Sequence, residues 1–519
     1  MKVVIIGSGS GAFAAAIQAT SSGADVDIIE SDTLGGTCVN VGCVPSKIFI
    51  RAAEAAHAQS SHPFSGLGKV AVTLDRRSLT RQQQARVDEL RQAKYENILA
   101  SNTKIHLIRG TARFQDAHTL IIDRSESGTQ LLKADRILVA TGSRPFIPAI
   151  PGLHEVPYWT STEALQTEIQ PTSLIVIGGS VIALELAQAY ARLGTRVTVL
   201  ARSTLLSHDD PDIGVQIKAA FESEGINVIT HVVPSRVVHD GTAFQISLPN
   251  GSVITAEQLL VAAGRHANLA ALNIAAAGVA LDVHGNICID DEMRTNVPHI
   301  YAAGDCTNQP QYVYVAAAAG SRAAANMLGR HTKLDLSIMP AVVFTDPQVA
   351  TIGLTEAQAR ANGIDAQSRL LTLDNVPRAL VSFNTRGFIK LVMDKQTGVI
   401  VGAQIVAHEG SEAIQTIAVA MKVKMTVKDL SRMLFPYLTM VEGLKLCAQT
   451  FSKDVSALSC CADTGVDDDE EPAHGCCASQ SPSTASTGSG LLSRLRENPI
   501  GSVLLVVSVI AVGAFIFKH

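Results

Sequence analysis

The stretch VVIIGSGSGA at residues 3–12 decides the fold, because a short apolar run leads directly into a glycine-rich turn. An Ala-rich segment follows to about Thr20, and a second apolar run, ADVDIIE, ends at Glu30. Apolar runs of this length indicate buried strands, and the segment between them has the length and composition of a helix. The sequence therefore predicts a strand–helix–strand unit whose turn receives the pyrophosphate of a dinucleotide.

The small residues of this turn have specific places in such a unit. Gly7 permits the tight turn, Gly9 lets backbone N–H groups approach the pyrophosphate, and Ala12 takes the close-packing position. Glu30, at the end of the second strand, is placed to accept hydrogen bonds from a ribose diol. We therefore predict a cofactor that contains ADP and has a free 2′-hydroxyl, in preference to a turn with a structural role alone.

A second unit of the same kind begins with SLIVIG at residues 173–178. Gly178, Ser180 and Ala183 fill the three turn positions, and the strand that follows ends at Arg202 in place of an acid. A guanidinium at that corner suits a 2′-phosphate, so the pattern favours NADPH over NADH. A solvated surface arginine is the alternative interpretation of Arg202.

Length and composition limit the remaining possibilities. A chain of 519 residues predicts two to four domains. The 47% hydrophobic content and 39 glycines are typical of an α/β enzyme rather than a β-sandwich. A net charge of −5 without a basic stripe argues against a nucleic-acid partner. Six of the nine cysteines fall into three close pairs, unlike the spacing of a secreted disulfide scaffold, so we expect a reducing compartment. The N-terminus enters a strand without an export signal.

The pattern changes in the C-terminal third of the chain. From about Pro340, runs such as FIKLVMD and VIVGAQIVA indicate antiparallel strands followed by helices, which is an α+β domain. After Leu458 the chain is acidic and then rich in Ser, Thr and Gly, a composition that predicts a flexible tether.

An apolar run without charge, Ile500–Phe517, ends the chain. A helix of this length spans ~27 Å, close to the thickness of a bilayer core, so the run predicts a single transmembrane anchor. Arg494 and Arg496 precede the run and Lys518 follows it, which favours a catalytic part on the cytoplasmic side. A buried core helix is the alternative.

The segment GGTCVNVGCVPSK at residues 35–47 places two cysteines behind the first dinucleotide unit. In a single helix, Cys38 and Cys43 would lie on one face, close enough to cross-link or to share a soft ion. Lys47 would lie on the same face and supply positive charge to a thiolate or a reduced cofactor. The segment therefore predicts a redox pair.

At these residues the chain resembles the FAD-dependent pyridine nucleotide-disulfide oxidoreductases, over about residues 1–455. The resemblance continues through three motifs: ATGSRP with Gly142, GRHAN with Gly264, and YAAGDC with Asp305. It implies FAD and NADPH as cofactors, and it implies a homodimer.

The resemblance also implies roles for single residues. Asp305 matches the acid that binds the ribityl-side hydroxyls of the flavin, and Glu185 matches the glutamate that pairs with the lysine at Lys47. The implied electron path runs from NADPH to FAD, then to Cys43 as the flavin-side sulfur and to Cys38 as the interchange sulfur.

The C-terminal domain distinguishes branches of this family. Where its disulfide reductases carry a His-Pro-x-x-x-Glu run, this chain has Tyr437 through Glu442, so a phenol replaces the histidine base. A phenol with a reference pKa of ~10 is a poor general base at neutral pH. Exchange with a small disulfide substrate is therefore disfavoured.

The run FPYLTMVEGLKLCAQTF, followed by KDVSALSCC, resembles the C-terminus of the mercuric reductases within the family. The resemblance implies that Tyr95 and Tyr437 belong to a metal site and that Cys460 and Cys461 reach the active site of the partner subunit. Soft thiolates prefer soft ions, so we expect transfer of Hg(II) from thiol complexes by ligand exchange. The expected metal ligands are Cys38, Cys43, Cys460 and Cys461. A tail that scavenges Zn or Cu is the alternative for the last two.

The leading hypothesis is an enzyme that reduces thiolate-bound Hg(II) to Hg(0) with NADPH. The alternatives are a disulfide reductase of the same fold with an unusual acceptor, and a membrane-bound metal-sequestering flavoprotein. The predicted fold is α/β, with two Rossmann-like dinucleotide-binding domains, an α+β dimerisation domain, a flexible tether and a single transmembrane helix. The predicted bounds are 1–145 with 268–338 for the FAD domain, 146–267 for the NADPH domain, 339–457 for the dimerisation domain, 458–498 for the tether and 499–518 for the anchor.

Overall fold

The computed structural model describes residues 1–124 and 128–458. Cys460, Cys461 and the predicted anchor at 499–518 lie outside the described residues. Among the helices of the described part of the chain, none combines the length and the apolar character needed to cross a membrane.

The N-terminal segment folds as the strand–helix–strand unit that the sequence predicts. Its elements are β1 (Lys2–Ile6), α1 (Ser10–Ser21), β2 (Asp25–Glu30), α2 (Gly36–Asn40) and α3 (Cys43–Ser60). β1 and β2 pair in parallel, with Val3 opposite Val26. Their apolar side chains are buried on both faces, which is usual for a parallel sheet covered by helices on each side.

A long helical segment follows and leads into a group of short strands. The helical elements are α4 (Arg76–Arg91), a π-helical turn (Gln92–Glu96) and α5 (Asn97–Ser101). The strands are β3 (Ile105–Arg109), β4 (Thr111–Asp116), β5 (Thr119–Arg124), β6 (Gly128–Lys133), β7 (Arg136–Val139) and β8 (Ser143–Pro145). The sequence did not predict the π-helical turn.

The second dinucleotide unit occupies the next part of the chain. Its elements are α6 (Ser161–Gln166), β9 (Ser173–Ile177), α7 (Val181–Arg192), β10 (Arg196–Leu200), α8 (Pro211–Ser223), β11 (Asn227–Ile229), β12 (Arg236–His239), β13 (Phe244–Ser247), β14 (Val253–Ala256), β15 (Gln258–Val261) and β16 (Arg265–Ala267). β9 and β10 pair in parallel and α7 connects them, which confirms the predicted repeat of the first unit.

The remaining elements belong to the end of the first sheet and to the α+β region. They are β17 (Ile300–Ala302), α9 (Val313–Met327), β18 (Ala341–Val343), β19 (Gln348–Gly353), α10 (Glu356–Ala361), β20 (Ala366–Thr372), α11 (Pro377–Val381), β21 (Phe388–Asp394), β22 (Ile400–Ala407), α12 (Gly410–Lys422), α13 (Val427–Arg432) and α14 (Glu442–Gln449).

Two parallel sheets carry the two dinucleotide turns. The first has the strand order β17-β7-β1-β2-β3, and the second has the order β11-β10-β9-β15. In each sheet the glycine-rich turn follows a central strand, β1 or β9, at its carboxyl end. Ligands of open parallel sheets bind at this edge, so the fold positions two dinucleotide sites.

The third sheet is antiparallel, with the order β18-β19-β22-β21-β20. One face packs against α12, and α14 packs against β20 and β21. This arrangement confirms the predicted mixture of strands and helices in the C-terminal third of the chain. The exact domain bounds stay predictions.

Candidate active site

The two cysteines of the segment 35–47 lie on two different helices. Cys38 is in α2 and Cys43 is the first residue of α3, so the single helix predicted across both residues is wrong. The helix breaks at Gly42, whose φ of −128° and ψ of −114° lie outside the helical region. A side chain at this position would bring its Cβ to 2.8 Å from the carbonyl oxygen of Thr37, so only glycine fits the break.

The break brings the two sulfur atoms together. Both thiols are free, and the Cys38 thiol donates a hydrogen bond to the Cys43 sulfur. That hydrogen bond lowers the pKa of Cys43 below that of an ordinary thiol, while burial opposes the shift and Lys47 assists it. The same hydrogen bond, together with burial, raises the pKa of Cys38. The pair therefore favours a thiolate at Cys43 and a protonated thiol at Cys38.

The start of α3 also suits an anion at Cys43. The residue before the helix is Gly42, which has no side chain to cap the first backbone N–H groups. Free N–H groups and the helix dipole stabilise negative charge at a helix N-terminus. By contrast, complete burial raises the pKa of Cys306 to about 11 and of Cys447 to about 12, so both stay protonated.

Lys47, one turn further along α3, makes an ion pair with Glu185 on α7. The distance between Lys47 Nζ and Glu185 Oε2 is 2.7 Å. The Glu185 side chain is only 4% exposed, whereas that of Lys47 is 38% exposed. A buried carboxylate needs such a partner, so the pair joins the redox segment to the second dinucleotide unit.

Each glycine-rich turn passes close to the backbone at the end of a neighbouring strand. A Cβ at Gly7 would lie 2.4 Å from the carbonyl oxygen of Ala140, and a Cβ at Gly178 would lie 2.3 Å from that of Ala262. Both glycines also have positive φ values. Only glycine therefore allows each turn to pass the end of its neighbouring strand.

Both turns leave helix N–H groups without a side-chain cap. Gly9 precedes α1 and Ser180 precedes α7, and neither residue makes a capping side-chain hydrogen bond. Ala12 and Ala183 are fully buried in the following helices, as the close-packing positions require. Uncapped helix N-termini above parallel sheets are suitable for a pyrophosphate.

Glu30 ends its strand as the sequence predicts, whereas β10 ends at Leu200, two residues before the strand end predicted at Arg202. Glu30 ends β2, and its carboxylate accepts hydrogen bonds from Ser8 Oγ at 2.6 Å and from the Asp32 N–H at 2.8 Å. Arg202 follows β10 and is exposed. A carboxylate in the first unit and an exposed cation in the second have the polarity expected for a ribose diol and a 2′-phosphate, respectively.

A polar network connects the three remaining motifs. Asp305 accepts a hydrogen bond from Ser143 Oγ at 2.9 Å, and Arg265 donates to the Ser143 side chain and carbonyl, both at 2.7 Å. Arg265 follows Gly264, and Ser143 follows Gly142, in the pair of strands β8 and β16. The nearby Thr141 Oγ1 is buried without a hydrogen-bond partner in the described structure. An unpartnered buried hydroxyl beside this network fits a bound polar group.

Sequence reasoning missed Ser143 and Arg265. Burial lowers the pKa of Arg265, while the charges of Asp305 and Cys43 oppose that shift, so the guanidinium lies near both groups. The ATGSRP and GRHAN motifs contain the two residues, but no local sequence pattern indicated that β8 and β16 would pair.

Tyr95 lies close to the cysteine pair. It is on the π-helical turn, its hydroxyl is 3.3 Å from Ser10 Oγ, and its ring packs edge-on against Phe13 at 4.7 Å. Burial raises the pKa of Tyr95, and the charges of Cys38 and Cys43 add to this effect. π-Helical turns occur frequently at functional sites, because the extra residue redirects a side chain.

Tyr437 and Glu442 lie in the α+β region, between α13 and the start of α14. Tyr437 is 59% exposed, whereas Glu442 is buried and accepts a hydrogen bond from the Leu438 N–H at 3.1 Å. Burial raises the pKa of Glu442. Leu438 has a φ of 60°, which a branched side chain rarely adopts. Strain of this kind is common beside functional groups.

The described part of the chain contains no cluster of side chains that forms a permanent metal site. Within residues 1–124 and 128–458, no group of three or more His, Cys, Asp or Glu side chains could hold a metal ion. Cys38 and Cys43 offer two sulfur ligands, and the other two predicted ligands lie outside the described residues. Two thiolates suit a soft ion that arrives and leaves as a substrate.

Comparison with protein families gives two matches that cover most of the chain. Residues 1–320 match the pyridine nucleotide-disulphide oxidoreductase family. Residues 339–448 match the dimerisation domain of the same family.

Several characterised relatives are similar over nearly the whole described region. A mercuric reductase of Shewanella putrefaciens is 58% identical over 461 residues, which is 89% of this chain and 83% of that protein. A mercuric reductase of Streptomyces lividans is 43% identical over 465 residues, which is 89% of this chain and 98% of that protein.

Solved structures with the same fold are more distant. A Cu(II) complex of the HOCl-induced flavoprotein disulfide reductase RclA from Escherichia coli has a TM-score of 0.78 at 28% identity, over 87% of this chain and 99% of that one. LpdA from Mycobacterium tuberculosis has a TM-score of 0.78 at 27% identity, over 87% of this chain and all of the LpdA chain.

The hydrogen bond between the thiols gives a pH-dependent prediction. A thiolate forms as the pH rises, and the Cys38 donor lowers the pH at which Cys43 ionises. Cys38→Ala should therefore raise the midpoint pH for alkylation of Cys43 in the reduced protein by about one to two units, since a hydrogen bond to a charged group is worth roughly 1.5–3 kcal/mol. The midpoint is measured by mass spectrometry, as the rate of alkylation of the Cys43 peptide at a series of pH values.

Cys288→Ala is the matched control, because Cys288 is a half-buried thiol outside the redox segment. It should leave the Cys43 midpoint in place. An unchanged midpoint in Cys38→Ala would show that Cys38 does not activate Cys43.

Proposed function

Because the chain belongs to the pyridine nucleotide-disulphide oxidoreductase family, we propose that it is an enzyme that reduces thiolate-bound Hg(II) to Hg(0), with NADPH as reductant and FAD as bound cofactor. The observation that carries the proposal is the hydrogen bond between the free thiols of Cys38 in α2 and Cys43 at the start of α3, near Lys47. It is supported by 58% identity to a mercuric reductase over 461 residues. The matched dimerisation domain supports a homodimer.

The residues of the first unit would hold FAD. The uncapped N-terminus of α1, with Gly7, Gly9 and Ala12, would receive its pyrophosphate, and Glu30 would accept hydrogen bonds from its ribose. Asp305 would bind hydroxyls on the ribityl side. When bound, FAD would take a hydride equivalent from NADPH and supply two electrons to the Hg(II) ion held by the cysteine pair. Gly142 and Gly264 would shape the turns on either side of the cofactor.

The second unit would hold NADPH. Its uncapped helix N-terminus, with Gly178, would receive the pyrophosphate, and Arg202 would bind the 2′-phosphate. Glu185, on the helix that starts at this turn, would hold Lys47 in place through the 2.7 Å ion pair.

The cysteine pair would receive the metal ion. The Cys43 thiolate attacks Hg(II) in a thiol complex and displaces one thiol, and Cys38 then loses its proton and displaces the second. Two electrons convert the ion to Hg(0), which leaves both sulfurs. The overall reaction consumes one NADPH, one proton and one Hg(SR)2, and it yields NADP+, Hg(0) and two thiols.

Two tyrosines and the C-terminal cysteines would support this transfer. Tyr95, which already lies near both sulfurs, would line the metal site together with Tyr437. Glu442 would hold the loop of Tyr437 through the Leu438 N–H. Cys460 and Cys461 would capture the ion and pass it to Cys38 and Cys43, in the active site of the partner subunit.

A disulfide reductase is the second candidate, because the fold also matches a flavoprotein disulfide reductase at a TM-score of 0.78. The tyrosine at position 437 disfavours it, since a phenol is a poor base near neutral pH. Oxidation of NADPH driven by lipoamide or glutathione disulfide would support this second candidate. Tight mercury binding without turnover would support a metal-sequestering flavoprotein.

The redox pair gives the most direct mutational test. Cys38→Ala and Cys43→Ala should each abolish NADPH oxidation stimulated by Hg(II) in excess thiol, because neither single sulfur can both bind the ion and complete the exchange. FAD should remain bound, since other residues form its site. Absorbance at 340 nm measures the oxidation of NADPH, and capture of mercury vapour measures the release of Hg(0). Full mercury release by either variant would contradict the assigned roles.

Arg202 tests the choice of nicotinamide cofactor. Arg202→Ala should raise the KM for NADPH about tenfold to a hundredfold, because it removes one charge-assisted contact worth roughly 1.5–3 kcal/mol. The KM for NADH should change far less, since NADH has no 2′-phosphate. Lys218→Ala, on α8 of the same unit, is the control for a general loss of positive charge. Equal effects of Arg202→Ala on both cofactors would exclude phosphate recognition by Arg202.

We also propose that residues 499–518 form a single C-terminal anchor that holds the enzyme on the cytoplasmic face of the membrane. The support is the uncharged apolar run Ile500–Phe517 with its flanking basic residues. Fractionation should find the full chain in membranes, extractable by detergent and resistant to high salt. Deletion of 499–519 should give a soluble enzyme with full activity. Full-length protein in the soluble fraction would refute the anchor.

A further inference from the structure

A third segment of the chain reaches the pair formed by Lys47 and Glu185. The Phe344 backbone N–H donates to Glu185 Oε1 at 2.9 Å, on the oxygen that Lys47 does not use. The Phe344 ring lies under the Lys47 ammonium, with Nζ 4.6 Å from the ring centroid. The ammonium therefore has a carboxylate on one side and an aromatic face on another.

The segment that carries Phe344 is fixed to the helix of Glu185. Gln188 exchanges two hydrogen bonds of 2.7 Å with the backbone of Asp346, one with its N–H and one with its carbonyl. Arg192 donates to the Asp346 carboxylate at 2.8 Å and also to Glu224. Glu185, Gln188 and Arg192 follow one another at helical spacing on one face of α7.

These contacts are buried, so they hold the ring rigidly. The side chains of Arg192 and Glu224 are 4% and 6% exposed, and that of Asp346 is 16% exposed. Phe344 itself packs against the core of the second unit. These contacts fix the position of Phe344 independently of Lys47.

Lys47, by contrast, has a long side chain that is free to rotate without such contacts. A lysine that is ordered loses rotamer entropy, and one ion pair offsets only part of this cost. An aromatic face beneath an ammonium adds an attraction that grows as the site loses water. The ring and the carboxylate together restrict Lys47 to one orientation.

We propose that Phe344 is a positioning residue, whose ring holds the Lys47 ammonium against Glu185 and so fixes a positive charge beside the flavin. The inference deepens the proposed function and rests on it for the presence of FAD. Phe344 lies within the matched dimerisation domain, so this domain would contribute to the flavin site of its own chain through Lys47. No role in dimerisation is required for this effect.

The reduction potential of the flavin in the holoenzyme, measured without mercury, tests the proposal. A fixed cation favours the reduced flavin, which carries more negative charge. Phe344→Leu should shift the equilibrium about threefold towards oxidised flavin, which is ~14 mV for a two-electron couple. In a separate assay of Hg(II) reduction, the kcat of Phe344→Leu should fall about threefold, with an unchanged KM for NADPH. Phe344→Tyr keeps an aromatic face and should restore the potential.

Phe388→Leu is the matched control, because it removes another ring beneath a lysine in the same domain. Phe388 is 1% exposed, and Lys390 Nζ lies 6.0 Å from its centroid. This variant should lose thermal stability and keep the wild-type potential. Phe344→Met replaces Phe344→Leu in the same measurement if the latter does not retain FAD.

An unchanged potential in the Phe344 variants, or an equal shift in Phe388→Leu, would overturn the proposal. Because no mercury is present, a failure of the proposed substrate would leave the potential shift intact. The two outcomes are therefore distinguishable.

Discussion

The ion pair between Lys47 and Glu185 is the contact on which the site depends. A carboxylate that is 4% exposed is costly to bury alone, and the lysine on α3 compensates it at 2.7 Å. Because α3 starts at Cys43 and α7 starts at the second glycine-rich turn, the pair fixes the redox segment relative to the second dinucleotide unit. Phe344 adds a third segment to this contact, so three parts of the chain that are far apart in sequence meet at the Lys47 ammonium.

The electrostatics of the cysteine pair follow from the same arrangement. Cys43 is at a helix N-terminus, accepts a hydrogen bond from Cys38 and lies near Lys47, and these three features all favour its thiolate. In the fully buried Cys306 and Cys447, burial outweighs the hydrogen bonds that favour a thiolate and raises the pKa of both thiols. Among the cysteines that the structure describes, the surroundings of Cys43 therefore favour a reactive thiolate for a soft ion.

Much of the fold was predictable because its signals are local. The apolar runs and glycines around Gly7 and Gly178 specify strand, turn and helix within about 30 residues, and both units were confirmed. The break at Gly42 was not predicted, because spacing alone suggested one helix; the clash of a Cβ with Thr37 appears only in three dimensions. The contacts of Arg265 with Ser143, and of Phe344 with Lys47, join residues more than 100 positions apart and have no local pattern.

The central claim is that electrons from NADPH reach a mercury ion held by thiolates. The most direct measurement is the ratio of mercury vapour released to NADPH consumed, with purified enzyme, Hg(II) and excess thiol under anaerobic conditions. The account predicts one Hg(0) for each NADPH, with the ratio constant over many turnovers. NADPH consumption without mercury vapour, or mercury bound without NADPH consumption, would contradict it.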